Sequence, residues 1–251
     1  MNHSLPLVDV FSSTIEIWDM RRPTMEEMLS TEGAGFHTLI RDKLVAQINN
    51  PFDAAKYTLF NRGCTRLDKL IEESLVNSAA YKSARCLMPS RTPIVLSDFQ
   101  NKHHSIQFGA VSDTVDAVGK TLADGQVLFH GGFWPEAVGQ TVVSTKPLST
   151  SFSPHMACQN ADWAGKSYEA GELHLMILCV VNPKTNAFCF RVRGTSKGHE
   201  KEVLFSSGAQ ITLRNKTLVK NDGKAYQACK IHAGRVLEKT IPYFILEMDI
   251  S

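Results

Sequence analysis

The sequence predicts an α+β fold, and three observations carry that prediction. Amphipathic helical spacing dominates the first hundred or so residues. After residue 126 the pattern changes to short apolar or alternating runs: VLF, HLMILCVV, AFCFRV, EVLF, AQITLRNKTLVK, AYQACKIHA and YFILEMDI. Turn signals separate these runs, namely NPKTN at 182–186, SSG at 206–208 and NDG at 221–223. Helices first and strands after point to a largely antiparallel sheet beside a helical lobe.

The elements follow in order. Phe36, Leu39, Ile40, Leu44 and Ile48 recur at helical spacing, so FHTLIRDKLVAQIN reads as an amphipathic helix. Leu67, Leu70, Ile71 and Leu75 do the same, and Thr65 with Asp68 three residues on resembles a capping box. Pro89, Ser90 and Pro93 mark a break, after which VSDTVDAVGKTLADG predicts another short helix. One helix, about 155–165, interrupts the strands. NDG between two alternating runs predicts a hairpin. The division expected is a helical lobe over 1–110, within the same compact domain or as an extension, and a core over 111–251.

Composition narrows the function classes. With 43% hydrophobic and 21% charged residues the chain can bury a real core. A formal net charge of +2 without any basic run argues against nucleic acid or an anionic membrane as partner. The longest apolar stretch, Leu175–Val181, is far short of the roughly 20 residues that span a bilayer. The N-terminus has no basic region followed by an apolar one, so no Sec-type signal peptide is expected, although export that reads a disordered N-terminus stays open. The six cysteines form no C-x-x-C pair and read as reduced thiols. His103–His104 stands without a matching cluster, so no metal site is expected.

Three stretches carry the chemistry. Residues 127–132, VLFHGG, read as a strand that ends on a histidine and two glycines, where a turn or a close approach becomes possible. Residues 148–153, LSTSFS, straddle a strand end. Residues 199–205, HEKEVLF, place Glu200 and Glu202 two apart before an apolar strand, where alternation would turn both carboxylates to one side. Singly, each has an ordinary reading as a turn, a polar loop or a charged strand edge.

In this order and spacing the three stretches resemble the mono-ADP-ribosyltransferase family, over about 112–250. EKEVLFSSG is similar to that family's E-x-E-V-L-F-P-x-G segment, and LSTSF followed by a helix matches its Ser-Thr-Ser motif. The resemblance implies a split antiparallel β-sheet core with an N-terminal helical lobe, and NAD as co-substrate. It implies that Glu202 is the main catalytic carboxylate, on a nicotinamide-ribose hydroxyl, and that Glu200 faces the acceptor. Ser149 would support Glu202, with Thr150 and Ser151 holding the strand geometry within the NAD site. His130 would bind the adenosine ribose or a phosphate, and the Gly131 backbone the nicotinamide amide. Phe152 or Phe188 would stack on the nicotinamide ring, both suiting a core equally well.

The motif set is a hybrid. The toxin-like branch with Ser-Thr-Ser and E-x-E has arginine at the first position. Histidine there is typical of the branch related to poly-ADP-ribose polymerases and diphtheria toxin. Neutral histidine offers a single donor where arginine offers a charged fork, which favours a ribose hydroxyl over a phosphate. Some bacterial effectors of this fold modify a threonine on ubiquitin, so the resemblance implies a monomeric effector or toxin acting on a host protein, with ubiquitin one candidate acceptor. Alternatives are an NAD glycohydrolase on the same scaffold and a non-catalytic NAD-binding or interaction module. Thiol hydrolysis by Cys158 with His130 or His155 has no local signature.

Overall fold

The computed structural model describes residues 4–30, 39–102, 107–229, 231–232 and 234–251. The chain opens with β1 (Ile15–Arg21), α1 (Met25–Ser30) and β2 (Ile40–Ile48), the two strands forming an antiparallel ribbon of their own. Helices α2 (Pro51–Phe60), α3 (Arg66–Asn77), α4 (Ala79–Cys86), α5 (Ile94–Asn101) and α6 (Phe108–Val118) follow. The rest builds one sheet: β3 (Lys120–Thr121), β4 (Val127–Gly132), β5 (Thr141–Val143), β6 (Leu148–Ser151), β7 (Leu173–Val180), β8 (Asn186–Cys189), β9 (Glu202–Phe205), β10 (Gln210–Ala228) and β11 (Val236–Ile250). Helices α7 (Pro154–Asp162) and α8 (Lys166–Ala170) lie between β6 and β7.

The α+β expectation holds. Among the described residues the nine strands run in the order β3-β8-β9-β6-β4-β7-β11-β10-β5, and every pairing is antiparallel except β7 with β11. β7, apolar apart from the buried His174 and almost entirely buried, takes an interior place, which such a run requires. The border between β4 and β6 is the weak seam: among the described residues, pairing there is confined to Phe129 opposite Ser151. Buried residues from Leu59, Ile71 and Leu96 of the helices to Phe129, Phe188, Phe205 and Ile245 of the sheet form one continuous core. Among the described residues no helix is long and apolar enough to cross a membrane.

Two elements differ from expectation. Ile40, Leu44 and Ile48 lie on strand β2, not on a helix, while Phe36 falls outside the described residues. A spacing of four satisfies both a helical turn and an even number of strand residues, and the half-buried Ala46 completes the strand pattern. The Asn221-Asp222-Gly223 hairpin is absent. β10 runs through it, with Lys220 opposite Tyr243 and Gly223 opposite Ile241, so Asn221 and Asp222 bulge against Pro242. Pro242 has no N–H for the ladder, and a bulge absorbs that gap. The Tyr243 ring covers Gly223 so closely that an added Cβ would lie 2.2 Å from it. Thr65 precedes α3, but its side chain makes no cap; Asp68 is used elsewhere.

Helix α7 lies directly on β4. A Cβ on Gly131 would stand 1.7 Å from the Ala157 carbonyl oxygen, so the first glycine of VLFHGG is required by helix–strand contact. Gly131→Ala must therefore push α7 off the strand. Overpacking of this kind costs about 1–3 kcal/mol, and urea unfolding of the variant should show a lower midpoint with an unchanged slope.

Candidate active site

The seam between β4 and β6 gathers the three motifs. β6 pairs with β9 in register Ser149 opposite Leu204 and Ser151 opposite Glu202. The Ser149 hydroxyl therefore reaches diagonally across to Glu202 and donates to its Oε1 at 2.6 Å. The second oxygen, Oε2, accepts from Gln100 Nε2 at 2.7 Å. Gln100, near the end of α5, is a residue that no sequence motif marked. Glu202 is 5% exposed, and both carboxylate oxygens are hydrogen-bonded.

This environment sets the charge of Glu202. Burial pushes its pKa up to about 7, against the hydrogen bonds from Ser149 and Gln100 that lower it; the Glu200 charge adds to the rise and Lys197 opposes it. The folded carboxyl thus holds its proton more tightly than the unfolded one. The linked stability is present below the unfolded value of 4.5 and is lost as pH rises through about 7. Glu202→Gln removes that dependence. The unfolding free energy of the variant should gain on wild type as pH rises from 5 to about 8.

Glu200 does not share a strand face with Glu202. It closes the 3-10 turn Gly198–Glu200, Lys201 follows in the left-handed region at φ 50°, and β9 begins only at Glu202. The turn, not strand alternation, brings the two carboxylates near each other. Glu200 is half-buried and pairs with Lys197 at 2.9 Å. Lys201, the residue between the glutamates, is 1% exposed. Its ammonium meets both carboxylate oxygens of Asp68 at 3.1 Å, Glu72 Oε2 at 3.3 Å and the His199 carbonyl at 3.0 Å. Asp68 also accepts from the Ser153 hydroxyl.

The remaining candidates fall into two groups. His130 Nδ1 lies 2.7 Å from the Ser149 carbonyl oxygen, and burial lowers its pKa, so the ring is neutral. A carbonyl only accepts, so Nδ1 carries the proton and Nε2 is left as an acceptor. Thr150 and Ser151 are buried and turn their hydroxyls into backbone: Thr150 donates to the Val203 carbonyl and Ser151 to the Glu200 carbonyl, each at 2.7 Å. Phe152 is 2% exposed and meets Tyr81 edge-on at 6.1 Å, and Phe188 does the same with Phe190 at 4.9 Å. Both rings have core places: Phe152, just after β6, packs on Tyr81 of α4, and Phe188 points into the core from β8. Cys158 is buried with its thiol pushed up to about 11, which leaves no thiolate at neutral pH. His103–His104 lies outside the described residues.

A larger cleft, about 800 Å³, lies elsewhere between α2, α7 and the β10–β11 ribbon. None of the motif residues lines it. Lys201→Met, which leaves Asp68 and Glu72 without their cation, should cost about 3 kcal/mol in chemical unfolding. Pairing it with Asp68→Asn should recover part of that loss.

No family model matches the chain, and the search of curated proteins returns no match. Among solved structures it is similar to the ADP-ribosyltransferase Vis, a toxin of Vibrio splendidus. In the complex of Vis with the M6 inhibitor the match covers 80% of this chain and 90% of that one, at 14% identity and a TM-score of 0.46. A further Vis structure matches over 80% and 91%, at 13% identity and a TM-score of 0.40. The ADP-ribosylating toxin BECa of Clostridium perfringens, solved with NADH, matches over 81% of this chain and 49% of that one, at 14% identity and a TM-score of 0.36.

Proposed function

We propose that the chain is an NAD-dependent mono-ADP-ribosyltransferase that moves ADP-ribose from NAD to a protein side chain. The observation that carries this reading is the Glu202 carboxylate, enclosed at a sheet seam with the Ser149 hydroxyl on one oxygen, while the Ser149 carbonyl takes the neutral His130 ring. Cleaving the bond between nicotinamide and ribose sends the bonding electron pair to the nicotinamide nitrogen and leaves positive charge on the ribose. Such an oxocarbenium-like state needs a carboxylate held in place and shielded from water. The ionised Glu202 meets that need, and its second oxygen, now on Gln100, is suited to a ribose hydroxyl. His130 Nε2, an acceptor, suits a hydroxyl rather than a phosphate. Glu200, half-buried at the turn, takes the proton of the attacking acceptor side chain, and the new bond forms at the ribose carbon. The effector or toxin role, and ubiquitin as one candidate acceptor, belong to the same proposal.

The test is transfer of label from biotin-tagged NAD to proteins of a eukaryotic lysate, with purified ubiquitin as a separate acceptor. Glu202→Gln should lower transfer by about 100- to 1000-fold while the protein stays folded; equal labelling by wild type and variant would remove Glu202 from the mechanism. Free ADP-ribose without labelled protein would favour the glycohydrolase. The rate should rise with pH through about 7 as Glu202 ionises. Ser149→Ala removes a bond that favours the charged form and should move that limb to higher pH, whereas Glu200→Gln should move it lower.

A further inference from the structure

The strap that leads from β8 to Glu200 carries Arg191 and Arg193, neither of which is in an ion pair among the described residues. It crosses α4, where a pocket of about 320 Å³ is floored by Val76, Tyr81 and Val192. Four cations border it. Arg85 is half-buried, its guanidinium bonded to the backbone carbonyls of Cys189 and Pro89 and standing 5.6 Å over the Phe188 ring. Arg191 donates to the Ser90 carbonyl. Lys82 and Arg193 are exposed. Among the described residues, none of the four has an ion-pair partner. Burial lowers the pKa of Arg85, and Arg191 lowers it further, which is like charges repelling across the pocket.

The fold holds this cluster together and ties it to the proposed active site. The Tyr81 hydroxyl donates to the Phe190 carbonyl at 2.9 Å and accepts from the Val192 N–H at 3.1 Å. Helix α4 thus clamps the start of the strap, whose other end is the Glu200–Lys201–Glu202 turn. Four like charges drawn together are relieved by an anionic partner, and the apolar floor gives such a partner a hydrophobic foothold. A bare phosphate has no use for the floor; an acidic peptide with an apolar side chain uses both.

We propose that this pocket docks an acidic segment of the acceptor protein, several carboxylates around one apolar residue, and so presents the acceptor to the glutamate turn. The proposal rests on the transferase reading for its acceptor role, but the docking itself can be measured without NAD. The probe is a fluorescein-labelled EELEEL peptide, followed by anisotropy with the full chain, against QQLQQL and a short single-stranded oligonucleotide. The Lys82→Glu, Arg193→Glu double variant reverses two exposed charges, and an unchanged melting temperature shows that it folds.

The expected result is binding of EELEEL that weakens with salt, exceeds QQLQQL, and falls about tenfold or more in the double variant. Equal affinity of wild type and variant, or tighter binding of the oligonucleotide, overturns the docking site. In the lysate assay the variant should lose protein labelling while keeping NAD hydrolysis. Labelling unchanged in a variant that has lost the peptide overturns the acceptor role. Absence of NAD turnover in wild type defeats the transferase reading, and with it the acceptor role, while the anisotropy still decides the acidic-segment site.

Discussion

The buried ammonium of Lys201 is the interaction on which the rest of the site depends. Removing such a cation from water costs several kcal/mol, and only a nearly complete set of acceptors offsets it. Here Asp68, Glu72 and the His199 carbonyl supply that set, two of them from α3. The ion cluster therefore fastens the helical lobe to the turn before β9. It also sustains a left-handed backbone at a residue with a long side chain, a conformation that persists only where surroundings over-determine it. Because Asp68 also takes the Ser153 hydroxyl, the chain leaving β6 meets the same anchor. One carboxylate from α3 thus aligns the two segments that carry Ser149 and Glu202.

With the turn held, the Ser-Thr-Ser run divides its work by strand alternation. Ser149 faces the Glu202 carboxylate, and Thr150 bonds the β9 backbone. Ser151 reaches the Glu200 carbonyl, beyond the start of the strand, and accepts from the Ser153 N–H. Two hydroxyls fix the backbone so that the third can meet a carboxylate. The result is a carboxyl poised near neutrality by opposing forces, burial against hydrogen bonds, with no cation among the described residues paired to it directly. A paired arginine or lysine would have held the charge permanently and cancelled it toward a substrate.

Much of this was legible in the sequence, and what was not has physical reasons. The order of helices then strands, α3 and α7, and the apolar runs of β7 and β9 follow from periodicity and length. His130, Ser149 and Glu202 were legible as a set because three separate stretches carry them. The β1–β2 ribbon was not, since a spacing of four among Ile40, Leu44 and Ile48 suits helix and strand alike. Asp68 looked like half of a capping box, yet its partners lie 85 and 133 residues away. Lys201 occupied the variable place between two glutamates, where sequence alone suggests a solvated side chain. Gln100 sits in IVLSDFQN, a run with no motif, and only the fold brings it to Glu202.

Gln100 also bears on how a closed site can receive a large substrate. Glu202 is buried in this structure, and the cleft of about 800 Å³ between α2, α7 and the β10–β11 ribbon lies away from it. A buried carboxylate left without a donor would be costly, so some group must occupy Oε2 whenever substrate does not. The Gln100 amide is a neutral donor at 2.7 Å, the same kind of partner that a ribose hydroxyl would be. Exchange of one for the other conserves the number of hydrogen bonds on the carboxylate. A charged lysine in that place would bind Glu202 more strongly and resist displacement, and an apolar residue would leave the oxygen unsatisfied. On the proposed function, a glutamine therefore keeps the empty site stable while leaving little free energy to overcome when the dinucleotide enters.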